Sequence, residues 1–80
     1  MRFRVLLFAR YAELFGAPEV SVTLDDGATV AELITALREL PGGGSLPDVP
    51  FVAVNLEQSQ TGRRLMPGDE LAILPPLAGG

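Results

Sequence analysis

The 80-residue sequence contains no cysteine, no histidine and no lysine, since all six cationic side chains are arginine. Without cysteine there is no disulfide framework, no thiol nucleophile and no iron–sulfur cluster. Without histidine the chain lacks the usual general base and the usual transition-metal ligand. Without lysine only the terminal amine could form a Schiff base, and nothing obvious activates the hydroxyls. The composition argues against a conventional active site and predicts no resident metal or cofactor.

The charge and the apolar pattern narrow the expected partners and location. The net charge of −4 disfavours nucleic acid and anionic membrane surfaces as partners. The longest apolar run near the N-terminus, residues 5–9, is too short for the core of a signal peptide and far too short to span a bilayer. We therefore expect a cytoplasmic protein with no nucleic-acid or membrane partner.

The hydrophobic pattern predicts one small α+β domain. Apolar alternation or short apolar runs predict strands over residues 2–8, 20–24, 51–55 and 70–74. Residues 9–15 fit a short helix, and a capping box at Thr29 and Glu32 opens a longer helix with one apolar face. The order strand, short helix, strand, helix, strand, strand favours a compact roll with its main helix packed across one face of a sheet.

The segments between these elements are predicted to be connectors. Residues 42–50 form an expected flexible loop, because no leading strand and no following Lys-Ser or Lys-Thr supports phosphate binding. Residues 58–64 are polar, with a turn predicted at Thr61-Gly62. We assign residues 1–74 to a single domain and residues 75–80 to a protruding tail.

Strand alternation divides the predicted sheet into a core face and an open face. The core face and the main helix are expected to bury Phe3, Val5, Leu7, Val20, Val22, Leu24, Val30, Leu33, Ile34, Leu37, Val52, Val54, Leu71 and Ile73. The open face is expected to carry Leu6, Phe8, Phe51, Ala53, Ala72 and Leu74. This much apolar surface without a second layer predicts a partner-binding face, unless the short helix or the long loop covers part of it.

The last six residues form a thin tail suited to a narrow channel. Pro75 and Pro76 end the last predicted strand and favour an extended spacer. Leu77 and small residues then lead to Gly79 and Gly80, where a free carboxylate would be little hindered. The alternative is a frayed terminus, because most chain ends are loose.

The most specific pattern runs from Gly68-Asp69-Glu70 through an apolar strand to Pro-Pro and Gly-Gly. Weaker support comes from residues 7–9, 13–16, 29–30 and 52–55. On these residues the whole chain resembles the ubiquitin-like β-grasp sulfur carriers, and most closely the MoaD family, the small subunit of molybdopterin synthase. It departs from that family at Ala12, where relatives often have an arginine that helps to bind the partner.

The resemblance implies a mixed β-grasp sheet and a sulfur carrier that is not an enzyme on its own. A ubiquitin-activating-like adenylating enzyme would use ATP to activate the Gly80 carboxylate, and sulfur would replace AMP to give a thiocarboxylate. The tail would then enter the large subunit of a heterotetrameric molybdopterin synthase and give sulfur to cyclic pyranopterin monophosphate. The expected reacting site is Gly80 together with Gly79. The residues expected to bind the partner are Leu6, Phe8, Phe51, Leu74, Pro75, Pro76 and Leu77.

Two other functions are compatible with the sequence. A sulfur carrier of the same kind could serve the thiazole of thiamine or tRNA thiolation, although Pro-Pro before the tail favours the pterin pathway. Alternatively, the chain is a non-catalytic β-grasp interaction module, which would keep its partner after deletion of Gly79 and Gly80.

Overall fold

A computed structural model describes residues 1–47 and 50–75 of the chain. Its elements are β1 (Arg2–Leu7), α1 (Arg10–Phe15), β2 (Glu19–Thr23), α2 (Val30–Glu39), a 3₁₀ helix (Gly43–Ser45), β3 (Phe51–Val54), β4 (Glu57–Gln58) and β5 (Leu71–Leu74). The strands form one sheet in the order β2-β1-β5-β3-β4. Since β5 is parallel to β1 and antiparallel to β3, the sheet is mixed, as expected.

Helix α2 is the main helix of the domain, and it has the capping box and the apolar side that its sequence predicts. The Thr29 side chain accepts a hydrogen bond from the backbone N–H of Glu32, and the Glu32 carboxylate accepts one from the backbone N–H of Thr29. This capping box satisfies two N–H groups that an open helix end would leave without partners. The apolar side of α2 is buried against the sheet through Val30, Leu33, Ile34 and Leu37. The predicted helix and its core face are confirmed.

The core matches the expected set with two differences, Val20 in β2 and Leu24 directly after it. Val20 and Leu24 are only half-buried and pack at the margin of the core. Both lie on or next to an edge strand, where no further strand shields the outer side. Four buried side chains were not predicted by alternation: Tyr11, Ala28, Leu46 and Leu65. All four lie outside the sheet and the main helix. Three of them, Ala28, Leu46 and Leu65, lie in connectors, where a period of two or 3.6 carries no information.

Two connectors are more ordered than the sequence predicts. Gly43 lies so close to the end of α2 that an added Cβ would sit 1.8 Å from the carbonyl oxygen of Leu37. The glycine therefore permits a close backbone contact, and the loop forms a 3₁₀ turn that buries Leu46. In the second connector, the N–H of Leu65 donates to the carbonyl of Ala28 at 2.8 Å, which holds residues 58–70 against the start of α2.

Strand β4 was also missed, because its two residues, Glu57 and Gln58, carry no apolar pattern. It pairs with β3 through a hairpin whose two central residues, Asn55 and Leu56, have φ values of 53° and 70°. Two positive φ values are the signature of a type I′ turn, which matches the twist of the paired strands. Asn is suited to this conformation, whereas leucine at Leu56 is unusual there.

Candidate functional site

The last described residues, Leu74 and Pro75, lie at the end of the central strand of the sheet. β5 has β1 on one side and β3 on the other, and it ends at Leu74. Pro75 follows outside the strand and is half-buried. Since a proline has no N–H to donate, the ladder of the central strand stops there. The predicted roles of Pro76, Leu77, Gly79 and Gly80 fall on residues outside the described part of the chain.

The open face carries a continuous apolar row across three strands. Leu6 is in register with Ala72, and Ala72 is in register with Ala53. One step further along the sheet, Phe51 is paired with Leu74. Leu6, Ala72, Phe51 and Leu74 are half-buried, so the surface is accessible beside the strand end that leads to the tail. Four expected members of the open face thus lie together in one patch.

Ala53 lies on the expected face but is not exposed. Only 6% of its surface is accessible, although it is not part of the core cluster on the other face. Its methyl group lies between the register partners Ala72 and Gln58, on a strand with neighbours on both sides. Such a short side chain is covered by the surrounding sheet, so Ala53 contributes little surface to a partner.

Phe8 is the most exposed aromatic side chain in the described part of the chain, at 45%. The predicted strand over residues 2–8 ends one residue early, at Leu7, because Ala9 has φ 50° and ψ −128° and turns the chain into α1. Leu7 is in register with Ile73, so Phe8 follows β1 at the level where Leu74 follows Ile73. The backbone of Ala9 therefore presents an aromatic side chain at the end of the apolar patch.

The short helix and the described part of the long loop do not cover the open face. In α1, Tyr11 is buried in the core cluster, and Ala12, Leu14 and Phe15 pack against that cluster. The loop after α2 contributes Leu46 to the same cluster, and Arg38 Nη1 donates to the Leu46 carbonyl at 2.6 Å. The short helix and these loop residues pack with the core, which leaves Leu6, Phe51 and Leu74 accessible. Ala12, the departure from the resembled family, is half-buried in this layer.

The open face changes from apolar to charged along β1. Arg4, two residues before Leu6, places its Nε 2.9 Å from the carboxylate of Glu19 on β2. Both side chains are well exposed, so this ion pair contributes little to stability. Its position marks one border of the apolar patch, while the strand end at Leu74 marks the other.

A hydrogen-bonded clamp at the start of β5 was not identified as functional from the sequence. Asn55 Nδ2 donates to Asp69 Oδ1 at 2.9 Å, and the N–H of Glu70 donates to Asn55 Oδ1 at 2.9 Å. The other Asp69 oxygen accepts the N–H of Met66 at 2.7 Å. The Met66 N–H and then the Asn55 amide hold the pKa of Asp69 below its ordinary value. Two features of the sequence could have indicated this clamp: an asparagine beside a turn and an aspartate after Pro-Gly.

Neither a metal centre nor a membrane helix is found among the residues that the structure describes. Within residues 1–47 and 50–75, no three carboxylate side chains lie together in a way that could hold a metal ion. Both α-helices of this part are too short to cross a membrane.

Comparison with known proteins decides the family. The sequence profile of the ThiS family matches residues 5–80. The chain belongs to the ThiS family. One similar protein is the molybdopterin synthase sulfur carrier subunit of Chlamydomonas reinhardtii, which is 36% identical over 83 residues, with both chains fully covered. Another is small archaeal modifier protein 1 of Haloferax volcanii, 37% identical over 92% of this chain and 95% of the relative.

Solved structures give the same answer for the fold of this ThiS-family chain. The crystal structure of H. volcanii small archaeal modifier protein 1 matches with a TM-score of 0.81 at 33% identity, covering 95% of this chain and 98% of the other. A complex of subunits 1 and 2 of molybdopterin-converting factor from Helicobacter pylori contains a chain that matches with a TM-score of 0.71 at 25% identity, with full coverage of both chains. The ubiquitin-like β-grasp fold and the resemblance to the small subunit of molybdopterin synthase are confirmed.

Proposed function

We propose that this chain carries sulfur as a thiocarboxylate on Gly80 and delivers it to cyclic pyranopterin monophosphate during molybdopterin synthesis. The observation that carries the proposal is the position of β5. The central strand leads into the tail at Leu74, which lies in the apolar patch of the open face. A partner that binds this patch therefore receives the tail at the same place.

The chemistry at Gly80 needs activation by a second protein. In the first step a carboxylate oxygen of Gly80 attacks the α-phosphate of ATP, forming the acyl-adenylate and releasing pyrophosphate. A sulfur nucleophile then replaces AMP at the carbonyl carbon, which leaves the thiocarboxylate. This chain has no histidine, cysteine or lysine side chain. The bases and the sulfur donor therefore come from an adenylating enzyme and its partners, and this chain is the reagent.

Docking on a large synthase subunit uses the open face. Phe8, Leu6, Phe51 and Leu74 supply apolar contact area, and the exposed aromatic ring of Phe8 is the kind of side chain that anchors interfaces. The named complex of subunits 1 and 2 supports a partner of this class. Two molecules of each subunit would form the heterotetramer, with the tail of each small subunit in a large-subunit active site.

The direct test is intact-mass analysis of the protein purified from its native host. The expected result is a population in which one oxygen is replaced by sulfur, with the change located at Gly80 by fragmentation. Reaction with the large subunit and the pterin substrate should return this population to the unmodified mass. A protein that is never found with sulfur, even after incubation with ATP, adenylating enzyme and sulfur donor, would contradict the proposal.

A second candidate is a protein modifier, and the observation that favours it is the 37% identity to small archaeal modifier protein 1. In that case the activated Gly80 carbonyl would be attacked by an amine of a target protein, forming an amide and releasing AMP. The two candidates share the activation step and differ in the acceptor. Proteomic detection of Gly80 linked to a target lysine, without sulfur on the free protein, would favour the modifier.

A further inference from the structure

The sheet has a free edge on the side away from β3 and β4. β2 is five residues long and has one neighbour in the described structure, β1. The two strands pair through five consecutive register positions, from Arg2 with Thr23 to Leu6 with Glu19, so no bulge interrupts the edge. β2 also contains no lysine and no proline. The edge therefore lacks several features by which proteins block the pairing of an additional strand.

The hydrogen bonds at the two ends of β2 show which backbone groups point outward. The N–H of Leu24 donates to Met1 at 2.7 Å, and the N–H of Leu7 donates to Pro18 at 2.9 Å. In an antiparallel pair the hydrogen-bonded positions alternate. Positions 18, 20, 22 and 24 therefore face β1. The backbone N–H and C=O groups that face away from the sheet belong to Glu19, Ser21 and Thr23.

A negatively charged cleft lies beside the Thr23 end of this edge. It has a volume of about 310 Å³ and lies between the end of β2 and one side of α2. Three carboxylates line it: Asp25 next to the strand, and Glu32 and Glu39 on the helix. No arginine is among the described residues of its lining. The small side chains of Thr35 and Ala36 lie between the two glutamates in sequence and leave room above the helix.

These features fit one kind of occupant. A strand added to β2 would pair with the outward backbone groups of Glu19, Ser21 and Thr23. Every second side chain of that strand would point to the α2 side of the sheet, and those near Thr23 would reach the cleft. With three carboxylates there, arginine or lysine at these positions is complementary, whereas acidic residues are repelled. A second copy of this chain would bring its own carboxylates to the same place.

We propose that the β2 edge binds an extended basic segment of a partner protein by strand addition. The segment alternates cationic side chains, which enter the cleft between β2 and α2, with small or polar side chains on the other face. This site is separate from the apolar patch around Leu74, so its occupant can be bound while the tail is engaged elsewhere. The proposal does not rest on sulfur transfer.

The test uses the full chain, labelled with ¹⁵N, and a synthetic peptide of alternating arginine and threonine. A peptide of alternating glutamate and threonine is the control. We expect the arginine peptide to shift the amide signals of Glu19, Ser21 and Thr23 and to weaken with added salt, and the glutamate peptide to cause no shift. Protection of the Ser21 amide from hydrogen exchange is expected to rise when the arginine peptide is bound.

Two substitutions separate backbone pairing from charge. Ser21→Pro removes an outward N–H without removing a bond to β1, and it should weaken peptide binding by at least about tenfold. Glu39→Lys reverses one charge of the cleft at the end of α2, where a cation is favourable for the helix, and should weaken binding about five- to tenfold. Glu57→Lys makes the same charge change on β4 at the opposite edge and should leave binding within about twofold.

Three results would overturn the proposal. Shifts confined to the apolar patch of Leu6, Phe51, Ala72 and Leu74 would place the peptide on that patch. Equal losses from Glu39→Lys and Glu57→Lys would mean that only net charge matters. A concentration-dependent dimer seen by sedimentation, and removed by Ser21→Pro, would mean that a second copy occupies the edge. Because Glu39→Lys is expected to fold normally, the test stands even if Ser21→Pro fails to fold.

Discussion

The two faces of the sheet are built from the same strands and differ in how far their side chains are buried. In β5, Leu71 and Ile73 are completely buried under α2, whereas Ala72 and Leu74 on the opposite face remain accessible. The same division holds in β1, where Val5 is buried and Leu6 is half-exposed. Since alternate side chains point to opposite faces, one face can stabilise the domain while the other is free to bind a partner.

The register of β5 determines which of its side chains lie on each face. A slip of one residue would exchange its two faces, burying the side chains of the patch and exposing those of the core. The clamp of Asn55, Asp69 and Glu70 holds the start of β5 against the β3–β4 hairpin, at the opposite end from the tail. The clamp therefore supports the register of β5, together with its pairing to β1 and β3.

The largest effect is expected from breaking the core face. Leu71→Ala should reduce the free energy of unfolding by about 2–5 kcal/mol, because it removes a fully buried side chain and leaves a cavity. The matched change on the same strand, Leu74→Ala, should cost about 1 kcal/mol, because that side chain is already partly accessible. Chemical denaturation of both variants measures the difference. Equal losses of unfolding free energy would show that the two faces contribute equally to the stability of the domain.

The reverse difference is expected for binding. Phe8→Glu and Leu74→Glu should each weaken docking on the large synthase subunit by about 2–5 kcal/mol, because each places an unpaired charge in an apolar interface. Leu56→Glu is the control, since Leu56 is 87% exposed on the hairpin turn, away from the patch. Calorimetric titration gives the affinities, and circular dichroism checks the fold. Normal binding by both patch variants would exclude this face as the interface.

A smaller effect is expected from the clamp, and it depends on pH. Because the pKa of Asp69 is lowered in the folded chain, its contribution to stability is present above the ordinary value of 3.8 and is lost as the pH falls through the lowered pKa. Asp69→Asn should therefore be less stable than the natural chain near pH 7, and the gap should narrow in acid. Unfolding at a series of pH values measures this gap. A gap that widens in acid would contradict the assigned role.

The smallest effect concerns the turn that presents Phe8. Ala9→Gly should raise the free energy of unfolding by up to about 1 kcal/mol, since glycine adopts φ 50°, ψ −128° without the strain that a Cβ causes. Ala31→Gly, in the first turn of α2, is the control and should lower it by about 0.5–1 kcal/mol. Melting temperatures report both changes. A loss of stability in Ala9→Gly would mean that the alanine is not strained.

The sequence predicted the parts of this molecule that have a regular period. Alternation placed Phe3, Val5 and Leu7 on the core face, and the capping box located the start of α2. What it could not predict depends on contacts between distant segments. Leu65 is buried because residues 58–70 bond to Ala28, and no local pattern around Leu65 reports that contact.

The candidate site shows the same limit. Leu6, Phe51 and Leu74 were assigned to one face by alternation, and the register confirms that they lie together. The prediction that Ala53 is exposed was wrong, because alternation gives the direction of a side chain and not how far its neighbours cover it. The clamp was missed because Asn55 and Asp69 are 14 residues apart, and only the pairing of β3 with β5 brings them together.

The role of Gly80 as the reacting group is tested by changing the length of the tail. The measurement is ATP-dependent thiocarboxylation by the cognate adenylating enzyme, followed by sulfur delivery with the large subunit. One residue added after Gly80 moves the carbonyl by about 3.3–3.6 Å, and a displacement of even about 1 Å can cost on the order of a hundredfold in rate. We predict that the extended chain folds and docks normally and transfers no sulfur. If the extended chain is thiocarboxylated and delivers sulfur at the normal rate, Gly80 is not the reacting group.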